Sequence, residues 1–168
     1  DQTYRDFELI LINDGSVDGS LEVMERLAAR DTRIRLVSRE NRGRVASLNE
    51  GIALATAPLL ALMDADDISL PERFAKQVTY LACHPDCVAV GTVFQRMLPD
   101  GELCDVQRLP ESHEEIDSQF LRPGTGFGML QPTTMLRCAA VRAVGGYRPQ
   151  FVHMTEDNDL FLRLAEVG

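Results

Sequence analysis

The sequence of 168 residues has no long apolar run, no basic cluster and no spaced set of cysteines. Without an apolar run of about 20 residues, it contains no candidate membrane-spanning helix. The formal net charge is −9 and no run of Lys and Arg is present, so nucleic acid is not an expected partner. Among the four cysteines only Cys83 and Cys87 are close in sequence, so no zinc-binding pattern is complete and reduced thiols are expected.

What is present is a balanced globular composition, with 45% hydrophobic and 26% charged residues. A chain of this length can bury one sizeable core. We therefore expect a single domain over residues 1–168 of a cytoplasmic protein. Any contact with the inner face of a membrane is expected only through parts outside this chain.

Strand and helix patterns alternate along the first part of the chain. Four apolar segments of strand length occur in turn: Phe7–Ile12, Ile34–Val37, Leu59–Met63 and Cys87–Phe94. Apolar residues at helical spacing occupy the segments between them. This alternation predicts an α/β domain, with a parallel sheet buried on both faces and right-handed crossovers.

The pattern weakens from Leu98 to Gln131 and then returns. Residues 113–121 predict a short helix, and residues 122–132 predict an irregular glycine-rich loop. Three further elements are predicted after this loop: a strand at 133–137, a helix with a glycine stop at 138–146, and an amphipathic helix at 156–168.

Acidic residues cluster directly after two of the predicted strands. Asp14 follows the first strand, and Asp64, Asp66 and Asp67 follow the third. Ligands of open α/β sheets bind outside the carboxyl ends of the strands. Both clusters are therefore predicted to lie on the ligand-binding side of the sheet, where Asp14 is a candidate ligand contact.

The pair Asp64 and Asp66 suits a hard divalent cation such as Mg²⁺ or Mn²⁺, which binds through one or two carboxylates and the phosphates of its ligand. The alternative is a solvated turn that places acids before the next helix. Three aspartates after one buried strand favour the metal. Ile68 excludes an EF-hand loop, because an oxygen ligand is required there, and it also weakens a likeness to phosphatases that use Asp-x-Asp.

The segment TEDND, from Thr155 to Asp159, opens the last predicted helix. Its acids suit the positive end of a helix dipole, with Thr155 as the cap. They also precede the apolar residues Leu160 and Phe161, so a carboxylate here can equally face a cleft. The residues alone leave both interpretations open.

Three blocks of the sequence belong together: QTYRDFELILINDGSVDGS, NRGRVASLNEGIALATAPLLALMDADDISLPERF and PTTMLRCAAVRAVGGYRPQFVHMTEDNDLFLRLAEVG. In their order and spacing they resemble the family 2 inverting glycosyltransferases. The resemblance covers most of the chain outside residues 98–131. Two positions depart from it, because Asn13 replaces a common aspartate and Leu48 stands where many members carry an arginine.

The resemblance implies a GT-A (nucleotide-diphospho-sugar transferase) fold, with a Rossmann-like, mostly parallel sheet flanked by helices. It implies that Asp14 contacts the nucleotide base and that Asp157 is the general base. It further implies that Asp64 and Asp66 serve the ribose and the metal–diphosphate, with Mg²⁺ or Mn²⁺ as the cofactor. On this interpretation Glu156 and Asp159 are explained by the helix terminus.

The expected reaction is metal-dependent transfer of a sugar, with inversion, from a nucleotide-diphospho-sugar donor to a saccharide or lipid-linked acceptor, as in cell-envelope polysaccharide biosynthesis. Two alternatives remain: nucleotidyl transfer, which has no use for a base at Asp157, and a non-catalytic nucleotide-binding domain of the same fold. In the family a further strand precedes the position of Asp1 and a further region follows that of Gly168. We expect residues 1–168 to be the catalytic domain without these two parts, and to be poorly active alone.

Overall fold

The computed structural model describes residues 1–120, 128–151 and 155–168. The predicted glycine-rich loop at 122–132 therefore lies outside the described residues as far as position 127. Strands and helices alternate over residues 9–90, which confirms the α/β class. No helix among the described residues is long and apolar enough to cross a membrane.

The first part of the fold is a pair of parallel strands with two helices. Its elements are strand β1 at Leu9–Asp14, helix α1 at Ser20–Ala28, strand β2 at Ile34–Arg39 and helix α2 at Arg44–Leu54. The parallel register runs from Leu9 opposite Ile34 to Asp14 opposite Arg39. The carboxyl ends of the two strands therefore meet, and Asp14 emerges beside Arg39. Among the described strands, only β2 pairs with β1.

The remaining elements form a second sheet, a hairpin and four more helices. The strands are β3 Leu59–Ala61, β4 Ala89–Val90, β5 Phe94–Met97, β6 Leu103–Gln107 and β7 Met135–Arg137. The α-helices are α3 Arg73–Cys83, α4 His113–Phe120, α5 Cys138–Ala143 and α6 Glu156–Ala165. A 3₁₀ helix at Gln131–Thr133 leads into β7.

Strand β7 is the centre of a three-stranded sheet and is antiparallel to both β3 and β4. Leu60 of β3 and Ala89 of β4 both lie opposite Leu136. Because β3 and β4 both oppose β7, they run parallel to each other, as a strand–helix–strand unit requires. The fold therefore combines parallel strands with one reversed strand between β3 and β4.

The predicted strand at Cys87–Phe94 is wrong as a single element. Ala89 and Val90 pair with β7, whereas the chain from Phe94 pairs with β6 in a separate antiparallel hairpin. The break falls at Gly91, where a Cβ would lie 3.5 Å from Met129 and from Thr133. A continuous apolar run does not reveal such a change of partner, although glycine in a strand pattern often marks one.

The core forms where α2, β7, α5 and α6 meet. Its buried apolar side chains are Val45, Ile52, Met129, Leu136, Val141, Tyr147, Leu160, Phe161 and Leu164. Helix α6 contributes three of them at amphipathic spacing, as predicted. Because α2 and α6 share this core, the TEDND segment at the start of α6 is held close to the start of α2.

We expect Leu136→Ala to lower the free energy of unfolding by about 2–5 kcal/mol, because Leu136 is fully buried at the centre of the sheet. Urea denaturation measures this loss. Leu103→Ala is the matched control, since Leu103 is 57% exposed on β6 and its truncation should cost less than about 0.5 kcal/mol. Equal losses at the two positions would contradict the placement of the core around β7.

Candidate active site

A cleft of about 780 Å³ opens between α2, the segment after β3, the 3₁₀ helix and the start of α6. Its polar lining consists of Arg42, Gly43, Arg44, Asn49, Asp64, Gln131, Glu156 and Asp157. Two of the predicted site residues, Asp64 and Asp157, therefore share one cleft. Asp14 and Asp66 are not among its lining residues.

The Arg44 guanidinium lies at the centre of this cleft. Its three nitrogens contact three different segments: Nη1 lies 3.3 Å from Asp64 Oδ1, Nε donates to Glu156 Oε1 at 3.0 Å, and Nη2 donates to Gln131 Oε1. Partial burial opposes its charge, but the carboxylates of Asp64 and Glu156 outweigh this effect and raise the pKa of Arg44. Arg44 therefore bridges the two acidic sides of the cleft.

Glu156 is the first residue of α6, and its side chain also forms an ion pair within the cleft. Its side chain is only 6% exposed and forms an ion pair with Arg44. The other carboxylate oxygen accepts the main-chain N–H of Thr155 at 3.2 Å. A buried carboxylate without a cation would be strongly destabilising, so Glu156 depends on Arg44.

The next residue, Asp157, is half-buried and lines the same cleft. Its Oδ1 accepts the N–H of Asn158 at 2.8 Å. Burial raises the pKa of Asp157 above its usual value of 3.8, and the neighbouring charge of Glu156 adds to the rise. The hydrogen bond from Asn158 and the charge of Arg44 act in the opposite direction. A carboxylate with a raised pKa in a cleft is suited to accepting a proton.

The segment after β3 is anchored by Arg73, the first residue of α3. Arg73 Nη2 donates to the carbonyls of Leu62 at 2.8 Å and Thr134 at 3.0 Å. The chain then turns at Asp64, whose carbonyl accepts the N–H of Asp67 at 3.3 Å. Asp66 lies on the exposed side of this turn.

The aspartates of this turn repel one another. Partial desolvation raises the pKa of Asp67, and the charges of Asp64 and Asp66 raise it further. The Arg73 guanidinium opposes this rise. The turn therefore has more negative charge than its neighbours neutralise, which makes it attractive to a cation.

Asp14 lies behind the cleft wall rather than in it. Its Oδ1 accepts the N–H of Arg42 at 2.8 Å and also an N–H of Arg39, and its Oδ2 accepts the N–H of Gly43 at 2.9 Å. Gly43 has φ of 90°, a conformation that favours glycine. These contacts, of which the Arg42 amide is the strongest, lower the pKa of Asp14.

The two departures from the family pattern have structural explanations. Asn13 is buried, donates to the Ser38 hydroxyl at 2.9 Å and accepts the N–H of Ser16 at 3.0 Å, and its amide makes both bonds without placing a charge in this buried position. Leu48 packs against the core. Arg44 lies one helical turn before Leu48 and extends into the cleft.

No group of three or more His, Cys, Asp or Glu side chains within the described ranges is arranged to hold a metal. Mg²⁺ and Mn²⁺ bind through only one or two carboxylates when a phosphorylated ligand supplies the other oxygens. Asp64, which lines the cleft, offers one such carboxylate, and Asp66 offers a second on the exposed side of the same turn. The contact of Asp64 with a guanidinium indicates that this carboxylate already attracts a cation.

Sequence reasoning missed Arg44 and Gln131, and it underrated Glu156. These residues meet only in the folded chain, because Arg44 is 20 positions from Asp64, 87 from Gln131 and 112 from Glu156. The available signal was indirect: a single arginine at the start of an amphipathic helix that is otherwise apolar on its inner face.

Residues 1–145 match the sequence profile described as Glycosyl transferase family 2. The chain belongs to this family. The match includes Asp14, Asp64 and Asp66 but ends before α6, so it does not include Asp157.

Relatives extend the similarity over almost the whole chain. The putative glycosyltransferase EpsE of Bacillus subtilis (strain 168) is 36% identical over 99% of this chain and 59% of its own length. The amylovoran biosynthesis glycosyltransferase AmsE of Erwinia amylovora is 34% identical over 99% of this chain and 61% of its own length. The chain thus spans about three fifths of these relatives.

A solved structure has the same fold. The mannosyltransferase PcManGT from Pyrobaculum calidifontis, in complex with GDP-Man and Mn²⁺, superposes with a TM-score of 0.69 at 18% identity. The superposition covers 97% of this chain and 44% of that one. This likeness confirms the GT-A fold implied by the family resemblance.

We expect Arg39→Met to destabilise the fold by about 2 kcal/mol, the loss associated with hydrogen bonds to charged groups. Arg39 is mostly buried and holds both Asp14 and Glu50, and the substitution leaves these carboxylates without their cation. The free energy of unfolding in urea is the measurement. Arg35→Met, on the exposed edge of the same strand, is the control and should change it little; a similar loss there would show that Arg39 has no special role.

Proposed function

We propose that residues 1–168 form the catalytic domain of an inverting glycosyltransferase that transfers a sugar from a nucleotide-diphospho-sugar donor to an acceptor hydroxyl. The observation that carries this proposal is the shared cleft of Asp64 and Asp157. Asp64 follows a strand end, where the ligand of an open α/β sheet binds, and Asp157, at the start of α6, lines the same cleft and has a raised pKa. One carboxylate in this cleft can thus bind the metal of the donor, while the other removes the proton of the acceptor hydroxyl.

The proposed chemical step is a single displacement. The carboxylate of Asp157 removes the proton of the acceptor hydroxyl while the acceptor oxygen forms a bond to the anomeric carbon. The bond from that carbon to the diphosphate breaks at the same time, and the diphosphate leaves with the bonding electron pair. Attack opposite to the leaving group inverts the configuration at this carbon.

Asp64 and Asp66 are the residues that would hold a divalent metal, and Asp14 would contact the nucleotide base. A bound Mg²⁺ or Mn²⁺ supplies positive charge that stabilises the leaving diphosphate. The PcManGT complex, with GDP-Man and Mn²⁺ on the same fold, supports both the donor class and the metal. Because AmsE is named for amylovoran biosynthesis, a saccharide acceptor is also part of the proposal.

Binding of a nucleoside diphosphate should depend on a divalent metal. Carboxylates after β3 repel a diphosphate unless a cation bridges them, so chelation should abolish binding measured by calorimetry. Asp66→Asn should weaken binding at least about tenfold through loss of a metal ligand. Asp18→Asn, in the turn before α1, is the matched control and should change binding little. Equal affinity with and without metal would refute the metal-dependent function.

Asp157→Asn should reduce transfer at least about 10²-fold, the lower end of what general-base catalysis contributes. Donor affinity should change little, because Asp157 is not one of the proposed metal ligands. The wild-type kcat should fall with decreasing pH as Asp157 is protonated, and the midpoint should lie above 3.8 because the pKa is raised.

Kinetics of sugar transfer and titrations of the donor separate these effects. A variant that loses donor binding but keeps its turnover would make Asp157 a binding residue rather than the base. Release of pyrophosphate with transfer of the nucleotidyl group would instead favour nucleotidyl transfer.

A further inference from the structure

The three contacts of Arg44 differ in burial and in length. These differences indicate which contact can open to admit another cation. Its bonds to Glu156 and Gln131 reach side chains that are almost completely buried. Its contact with Asp64 is the longest, at 3.3 Å, and joins side chains that are 51% and 37% exposed. The Asp64 contact is therefore the weakest of the three and the one most open to solvent ions.

We propose that Arg44 is the resident counter-ion of Asp64 in the metal-free cleft, and that this contact must open before Asp64 can bind a divalent metal. This inference rests on the proposed function, which assigns Asp64 to the metal. The carboxylate oxygen that faces Arg44 Nη1 is one of the two that Asp64 can offer to a cation. Arg44 is thus a positioning residue that competes with the metal for the Asp64 carboxylate. It does not take over the role of the metal toward the diphosphate.

The buried contacts keep Arg44 in place when Asp64 is released. Gln131 also donates from Nε2 to the hydroxyl of the buried Tyr147, at 2.6 Å, so its amide orientation is fixed. Glu156 has no other cation among its contacts in the described part of the chain. The guanidinium therefore stays beside the metal position, where its charge opposes the charge of the metal.

Removal of this charge should strengthen metal binding. For Arg44→Gln, which keeps an N–H donor toward the buried acceptors, we expect the Kd for Mn²⁺ alone to fall about tenfold, as expected for two cations a few ångströms apart. Arg44→Lys retains the charge and should stay within about twofold of the wild type. Both are measured by Mn²⁺ titration with electron paramagnetic resonance, without nucleotide and at low salt.

Arg148→Met is the matched control. Arg148 is 48% exposed and forms a 3.3 Å ion pair with Asp159 of α6, so it resembles Arg44 in exposure and distance but does not line the cleft. Its removal should leave Mn²⁺ affinity unchanged. In an Asp64→Asn background, Arg44→Gln should give a clearly smaller gain, because the competition acts through Asp64.

The outcomes distinguish the two proposals. Wild-type protein that binds no Mn²⁺ either alone or with a nucleoside diphosphate overturns the metal-dependent function and this inference with it. Mn²⁺ that binds only together with the nucleotide overturns the inference alone, because Asp64 then has no metal affinity of its own for Arg44 to limit. Wild-type protein that binds Mn²⁺, with a folded Arg44→Gln variant of unchanged or weaker affinity, overturns the inference alone. If Arg44→Gln does not fold, Arg44→Lys is the variant that tests the inference. A tenfold gain in Mn²⁺ affinity in that variant, which keeps the positive charge, would show that charge competition is not the cause.

Discussion

The fold depends on ion pairs in which arginine side chains neutralise the carboxylates in and beside the cleft. A chain with a net charge of −9 places several acids in or beside its cleft, and two of them, Asp14 and Glu156, have an arginine partner from another element. Arg39 holds Asp14, and Arg44 holds Glu156. Since a buried carboxylate without a partner is far more costly than a paired one, these contacts determine how the elements around the cleft can approach one another.

Residues at the start of α2 make several of these contacts with carboxylates. The N–H groups of Arg42 and Gly43 bind Asp14 behind the cleft wall, and the side chain of the next residue, Arg44, reaches Asp64 and Glu156 in front of it. Asn49, farther along the helix, accepts the N–H of Tyr147 and donates to its carbonyl, both at 2.8 Å. One helix thus links the strand ends of the first sheet to the segment that carries Asp157.

The sequence was sufficient to predict the α/β class and the positions of most elements, because apolar periodicity is a local signal. The family was predicted from the resemblance of three sequence blocks. The sequence did not predict that β4 and β5 are separate strands, because a continuous apolar run does not indicate which strand each of its halves pairs with. The Arg44 network was missed for the same reason. Its members are distant in sequence, and a single arginine at a helix start has the same local pattern whether it faces solvent or a buried carboxylate.

In the proposed function, the charge balance of the cleft favours a metal cation in addition to arginine as the partner of a diphosphate. The lining contains three carboxylates, from Asp64, Glu156 and Asp157, and two guanidinium groups, from Arg42 and Arg44. Arg44 is already shared between two of the acids. A diphosphate would add at least two further negative charges to a site with no spare cation on Arg44, and Coulomb repulsion at such distances outweighs a single hydrogen bond. In the proposed function, a divalent ion at Asp64 would restore the balance, and the strength of the Arg44 contact would then set how readily the cleft accepts its donor.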